Sequence, residues 1–209
     1  MKKISFLRLL LVVLVLSPGI SFANEKTILV FGDSLSAAYG LPTEQGWPHL
    51  LQQKISQQQL PWQITNLSIS GETTSGGSQR IDDALQQYRP DIVILELGAN
   101  DGMRGQSLKT MKENLQQMIK KAQAIDAQVI LAGMHIPPNY GKRYTQAFHQ
   151  SYVTLSDDYN TVFIPFILDG IANQPQLMLS DGLHPNADGQ KIMLTTVWQY
   201  LQPLVNGGN

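Results

Sequence analysis

Ser34 stands in VFGDSLSAAYG (residues 30–40), where an apolar run ends and a glycine, an acid and a serine follow. A serine there either closes a strand, as ordinary turn and capping chemistry, or is held up as a nucleophile. A nucleophile needs a base for its proton, a group that orients the base, and donors for the oxyanion. The chain has four histidines. His49 and His149 fall on helical stretches, where surface or packing roles are ordinary, and His135 follows a strand in GMHIPPNYG. His184 lies in SDGLHPN (180–186), just before the last helix, with Asp181 three residues ahead, close enough in a turn to accept from the far ring nitrogen. The same loop also reads as a plain turn at Asp181-Gly182 with Pro185 opening a helix. Two further loops offer donors. ISGETTSGG (69–77) sets Gly71 where a bare backbone N–H approaches a ligand closely, and by itself equally reads as a phosphate loop. ELGANDG (96–102) brings Asn100 to the end of a strand, as a turn residue or as an amide aimed at developing negative charge.

These residues meet only if the chain delivers them to one place. Continuous or alternating apolar runs predict strands at Lys26–Phe31, Gln63–Leu67, Asp91–Leu97, Gln128–Ala132 and Thr161–Pro165. Helical spacing covers Trp47–Gln57, Gly77–Gln87, Leu108–Ala124, Arg143–Asp158 and Ala187–Leu201. Strand–helix alternation predicts an α/β fold, one domain with a five-stranded parallel sheet between helical layers. Ligands of such sheets sit beyond the carboxyl ends of the strands. That is the edge at which Ser34, Gly71 and Asn100 all fall.

Composition bounds the rest. Lys2, Lys3 and Arg8 precede the apolar run Leu9–Leu16, Pro18-Gly19 follows it, and Ser21-Phe22-Ala23 offers small residues for a peptidase. This predicts a signal peptide over 1–23, cleaved to leave 24–209 as the folded domain; the run is too short to span a bilayer. Loss of those three cations and no acid takes the formal charge from −1 to about −4, against nucleic-acid binding. Without cysteine, disulfides and thiolate chemistry are excluded. About 186 residues at 43% hydrophobic composition suffice for one core.

GDSLS, Gly71 in SGET, GAND at 98–101 and DGLHP at 181–185 appear in the order found in the SGNH (GDSL) hydrolases, and the chain resembles that family from about Thr27 to Val205. NYGKRY (139–144) and LQPLVN (201–206) bring it nearer to the bacterial periplasmic thioesterases, lysophospholipases and arylesterases. One departure is Ala99, where GGND is usual; a methyl fits if the backbone there is right-handed. The resemblance implies a flavodoxin-like three-layer sandwich with Ser34 as nucleophile, His184 as base, Asp181 as its orienting acid, and the Ser34 N–H, the Gly71 N–H and the Asn100 amide as oxyanion donors. It implies acyl esters, acyl thioesters, lysophospholipids and aryl esters as substrates, no metal or cofactor, no nucleic-acid partner, no stable membrane insertion after cleavage, and a periplasmic monomer. It also implies a loop, Gly102–Ser107, that moves on substrate binding. Activity then falls at low pH as the imidazole takes a proton. Met103, Ile136, Pro137 and Tyr140 are candidates to line an acyl groove. Two alternatives stand beside this: a carbohydrate or peptidoglycan O-acetylesterase on the same core, and a non-catalytic flavodoxin-like binder with SGETTSGG around a phosphate.

Overall fold

The computed structural model describes residues 26–207; the predicted signal peptide, 1–23, lies outside them. Five strands form one parallel sheet: β1 (Lys26–Gly32), β2 (Trp62–Asn66), β3 (Ile92–Glu96), β4 (Gln128–Ala132) and β5 (Val162–Ile164), in the order β2-β1-β3-β4-β5. Ile28 to Phe31 and Ile92 to Leu95 are all buried, which is why these strands read as unbroken apolar runs. The helices are α1 (Trp47–Gln57), α2 (Thr74–Tyr88), α3 (Ala99–Met103), α4 (Leu108–Gln123), α5 (Lys142–Tyr159) and α6 (Ala187–Gly207). α1 packs with α6 on one face of the sheet, while α2, α4 and α5 cover the other. On α4, Met111, Leu115, Met118, Ile119 and Ala122 make the buried stripe, and the Ser107 hydroxyl accepts the Thr110 N–H at 3.3 Å to cap its start. Among the described residues, no helix is long and apolar enough to cross a membrane.

The chain leaves β1 toward β2, then crosses back over β1 to β3. The strand order therefore reverses between β1 and β3, and a crevice opens there at their carboxyl ends. Gly32 and Glu96 are register partners at that point, with Asp33-Ser34 just past one and α3 just past the other.

Three elements differ from the sequence expectation by more than one residue at an end. α2 begins at Thr74 rather than Gly77. The Thr73 hydroxyl accepts the Gly76 N–H (3.3 Å), and the Asp101 carboxylate accepts both the Thr74 N–H (2.9 Å) and its hydroxyl (2.6 Å). These bonds outweigh the low helix propensity of the glycines, and they occupy the helix start that a phosphate would need. α6 runs past Pro203 to Gly207. Proline costs the hydrogen bond to the Gln199 carbonyl, but the final turn buries Val205, whose carbonyl accepts from Trp62 Nε1 at 3.3 Å. α3, a five-residue helix, follows β3 where a strand-end turn was expected.

Candidate active site

Ser34 opens a stretch of turns, residues 34–40, rather than a helix. Its neighbour's carbonyl, Asp33, accepts the Ala37 N–H at 2.9 Å, and Ser34's own carbonyl accepts the Tyr39 N–H at 3.2 Å. The side chain is thus fixed at the crevice without the strand–turn–helix elbow of α/β-hydrolases. Ser34 Oγ lies 2.9 Å from His184 Nε2, across 150 residues of sequence. His184 Nδ1 lies 2.7 Å from Asp181 Oδ2. Asp181 Oδ1 accepts the N–H groups of Leu183 (2.9 Å) and His184 (3.0 Å). Partial burial pushes this carboxyl up, but the Leu183 N–H, the His184 ring and the His184 N–H outweigh it and bring it down to about 2. An ionised Asp181 can only accept, so Nδ1 carries the ring proton and Nε2 is free to take one from Ser34.

The loop holding His184 is stapled. Leu179 donates to the His184 carbonyl at 2.7 Å, Asn186 donates to that of Leu177 at 2.8 Å, and Met178 bridges Pro185. Asn186 Oδ1 then accepts the N–H groups of Asp188 and Gly189, both at 3.1 Å, and caps α6. Pro185 lies ahead of the helix, one residue before its cap. The ring of Tyr39 packs against His184 with centroids 4.4 Å apart.

The N–H groups of Ser34 and Gly71 donate to no acceptor among the described residues. Gly71 sits at φ +79°, a left-handed conformation that favours glycine. One amide hydrogen of Asn100 goes to Asp33 Oδ2 at 3.0 Å, and the other has no acceptor among the described residues. Gly98 takes φ +114°, and a Cβ there would run into the Tyr152 hydroxyl. Ala99 is the first residue of α3, in right-handed backbone, so the methyl that departs from GGND fits. Arg104, at the end of α3, donates through Nη2 to the Gly71 carbonyl (3.1 Å) and approaches Asn100 Oδ1 (3.5 Å).

A hydroxyl and an imidazole with a free lone pair, together with N–H groups that have no acceptor among the described residues, make an arrangement for acyl transfer. The sequence matches the profile of the GDSL-like lipase/acylhydrolase family over residues 30–192. The chain belongs to this family. Esterase TesA of Pseudomonas aeruginosa is 42% identical over 183 residues, 88% of this chain and 91% of that protein. Thioesterase 1/protease 1/lysophospholipase L1 of Escherichia coli K12 is 38% identical over 188 residues, 88% of this chain and 87% of that one. A solved structure of the psychrotrophic esterase EstA from Pseudoalteromonas sp., inhibited by monoethylphosphonate, matches with TM-score 0.83 and 43% identity, covering 87% of this chain and 100% of that one. The protein is accordingly a hydrolase of the serine-esterase type.

In this GDSL hydrolase a cleft of about 510 Å³ opens beside Ser34 and His184, with Met103, Ile136 and Pro137 in its walls together with Met134, Phe166 and Leu168. Tyr140, expected in the groove, does not line it. Pro138–Tyr140 forms a 3-10 turn, and the Tyr140 hydroxyl donates to the Met103 carbonyl at 2.8 Å. The Tyr144 hydroxyl donates to Gly102 (3.3 Å) and Gln106 (3.1 Å) carbonyls. Both tyrosines of NYGKRY thus hold Gly102–Ser107 from outside. Ile167, next to the cleft residue Leu168, is fully buried in the core. His135 is part of the wall, stacked on His149 (centroids 3.9 Å) and edge-on to Phe166 (4.8 Å). Burial, then the neighbouring His149, push its imidazole down, which suits a neutral ring. His49 is half-buried on α1, and its Nε2 lies 3.1 Å from Gln53 Nε2.

Proposed function

We propose that this GDSL hydrolase cleaves acyl esters and thioesters, lysophospholipids and aryl esters among them, through an acyl-enzyme on Ser34. The observation that carries the reading is the Ser34–His184 contact at 2.9 Å opening onto a largely apolar cleft. Ser34 Oγ attacks the carbonyl while His184 Nε2 takes its proton. The N–H groups of Ser34 and Gly71 and the free Asn100 amide hydrogen hold the oxyanion. His184 returns the proton to the leaving group, and water repeats the cycle on the acyl-enzyme. The thioesterase, lysophospholipase and esterase names of the relatives support this substrate class. Lining by Met, Ile, Phe and Leu side chains supports an alkyl chain over a sugar or an acetyl group alone.

Hydrolysis of p-nitrophenyl esters from acetate to decanoate by residues 24–209 tests this. Rates are expected to hold or rise through the medium chains. A collapse beyond acetate would overturn the acyl-chain reading in favour of an acetylesterase. Bound cofactor without hydrolysis would overturn it in favour of a binding protein.

Export belongs to the same proposal: residues 1–23 act as a cleaved signal, and a monomer of 24–209 works in the periplasm. The cationic start, the apolar run and the small residues before Asn24 support it. Mass spectrometry of the enzyme from the producing cell is expected to find Asn24 at the N-terminus, and an intact leader would overturn it.

A further inference from the structure

Two carboxylic acids that the proposed cycle does not use lie enclosed behind the nucleophile. Glu96 ends β3 fully buried, and Asp33, which precedes Ser34, is almost as enclosed. Both donors to Glu96 converge on one oxygen: Oε2 accepts the Asp33 N–H at 3.2 Å and the Ser36 hydroxyl at 2.7 Å. Oε1 has no partner among the described residues. Asp33 is served differently, with Oδ1 accepting the Leu35 N–H at 3.1 Å and Oδ2 accepting the Asn100 amide at 3.0 Å. No lysine or arginine pairs with either carboxyl among the described residues. The titratable groups that face the pair are Asp101 from α3, Tyr152 from α5, whose hydroxyl donates to the Leu97 carbonyl, and His184 across the crevice.

Two enclosed carboxylates side by side without a counter-ion do not both ionise. The hydrogen bonds choose between them. Asp33 has a donor on each oxygen, as an anion requires. An ionised Glu96 would enclose a charged Oε1 with no donor at all, which is costly; as an acid it offers a carbonyl oxygen to two donors and leaves on Oε1 only a neutral hydroxyl, a far smaller cost than a charge. Gly32 makes room for it, since a Cβ there would lie 2.5 Å from Glu96 Oε2 and 2.9 Å from the Glu96 carbonyl.

We propose that Glu96 works as a neutral carboxylic acid, a positioning residue that leaves Asp33 as the one anion behind the nucleophile and, through Asp33, aims the Asn100 amide. The inference rests on the serine-esterase reading. Burial, and then the charge of Asp33, push the Glu96 carboxyl well up, in keeping with it.

Glu96→Gln and Glu96→Ala test it, each made also in an Asn100→Ala background. Gln keeps the carbonyl acceptor and is neutral at every pH. Folded Glu96 holds its proton, whereas unfolded Glu96 releases it above about pH 4.3. Wild-type stability therefore falls as pH rises above that value, and this loss is absent in E96Q. The Tm of E96Q relative to wild type is expected to be higher at about pH 8 than near pH 4, since any cost of enclosing the amide NH₂ is the same at both. A Tm difference that stays the same, or falls, from about pH 4 to about pH 8 would mean that Glu96 is ionised when folded, and would overturn the proposal. E96A is expected to lower kcat with KM little changed. Its loss is bounded by that of removing Asn100 itself, about 10²–10³-fold, with E96Q recovering most of it. In the Asn100→Ala background the E96A loss should vanish, because Glu96 acts through that amide; an equal loss in both backgrounds would overturn the positioning role. The Tm comparison reads the proton on Glu96 whether or not Ser34 is the nucleophile. Failure of the esterase reading would appear separately, as absence of phosphonate labelling on Ser34.

Discussion

Ser34→Ala is expected to lower kcat by about 10⁶-fold while leaving the fold intact. Oγ is the only protein atom that the proposed cycle asks to form a bond to carbon, so its removal takes away the acyl-enzyme. The donors stay. Alanine keeps the backbone N–H at position 34, and Gly71 and Asn100 are unaffected, so a bound carbonyl is still polarised and His184 can still assist a water. Such residual catalysis, about 10³–10⁴ over water, is what remains when a serine relay loses one member. The folded state gives up one hydrogen bond, from Oγ to His184, on a half-buried side chain. Circular dichroism and Tm should therefore barely change. Mass spectrometry after treatment with an alkyl phosphonate should find one adduct, on Ser34, in wild type and none in the variant. Retention of more than about 1% of wild-type turnover would mean that another group is the nucleophile, and the Ser34–His184 contact would then be a structural hydrogen bond.

Where residues were buried on both sides or one side, the fold was legible in the chain. The β1 and β3 runs, KTILVF and DIVILEL, have no polar alternation because helices cover both faces, so pattern alone identified them and the layers. The 3.6-residue stripe of α4 was equally plain. What pattern could not reveal were decisions made by distant partners. α2 starts three residues early because Asp101, 27 positions away, accepts the Thr74 N–H and hydroxyl. α6 outlasts Pro203 because Val205 has a place to pack beneath Trp62. α3 is too short for any periodicity to announce it.

The candidate site divides in the same way. Ser34, Gly71, Asn100, Asp181 and His184 stand at strand ends or in a turn-rich loop, where residue type and position carry a signal. The structure brings Ser34, His184 and Asp181 into hydrogen-bond reach and places Asn100 on Asp33. Glu96 carried no signal of that kind: at the end of an apolar strand it reads as an edge or turn acid. Only the register pairing with Gly32 reveals that it is enclosed. Arg104 looked like one more polar residue of a glycine-containing loop, yet its guanidinium reaches Gly71 and Asn100 together. Tyr140 erred in the opposite direction. An aromatic near the cleft suited a groove wall, but its hydroxyl found an unpaired carbonyl at Met103 and the side chain went with it.

Asp181→Asn separates the geometry of the relay from its electronics. In wild type two N–H groups, of Leu183 and His184, point at Oδ1, and the His184 ring faces Oδ2. Asparagine has one oxygen and one NH₂. Placing the oxygen at the Oδ1 position satisfies both backbone donors and keeps the turn, so the NH₂ then faces Nδ1. The reverse flip would aim an NH₂ at two N–H groups and lose both bonds. With NH₂ opposite it, Nδ1 must accept, and the ring proton moves to Nε2. That nitrogen then donates to Ser34 Oγ instead of receiving its proton, with scarcely an atom displaced. The expected result is a fall in kcat of about 10⁴-fold, the scale known for a serine relay locked in the wrong tautomer, with KM and Tm close to wild type. Nitrogen-15 NMR of labelled histidine should find the His184 proton on Nδ1 in wild type and on Nε2 in the variant. A loss below about tenfold, or an Nδ1–H tautomer in the variant, would mean that Asp181 holds only the loop. His184 would then owe its tautomer to something other than this carboxylate.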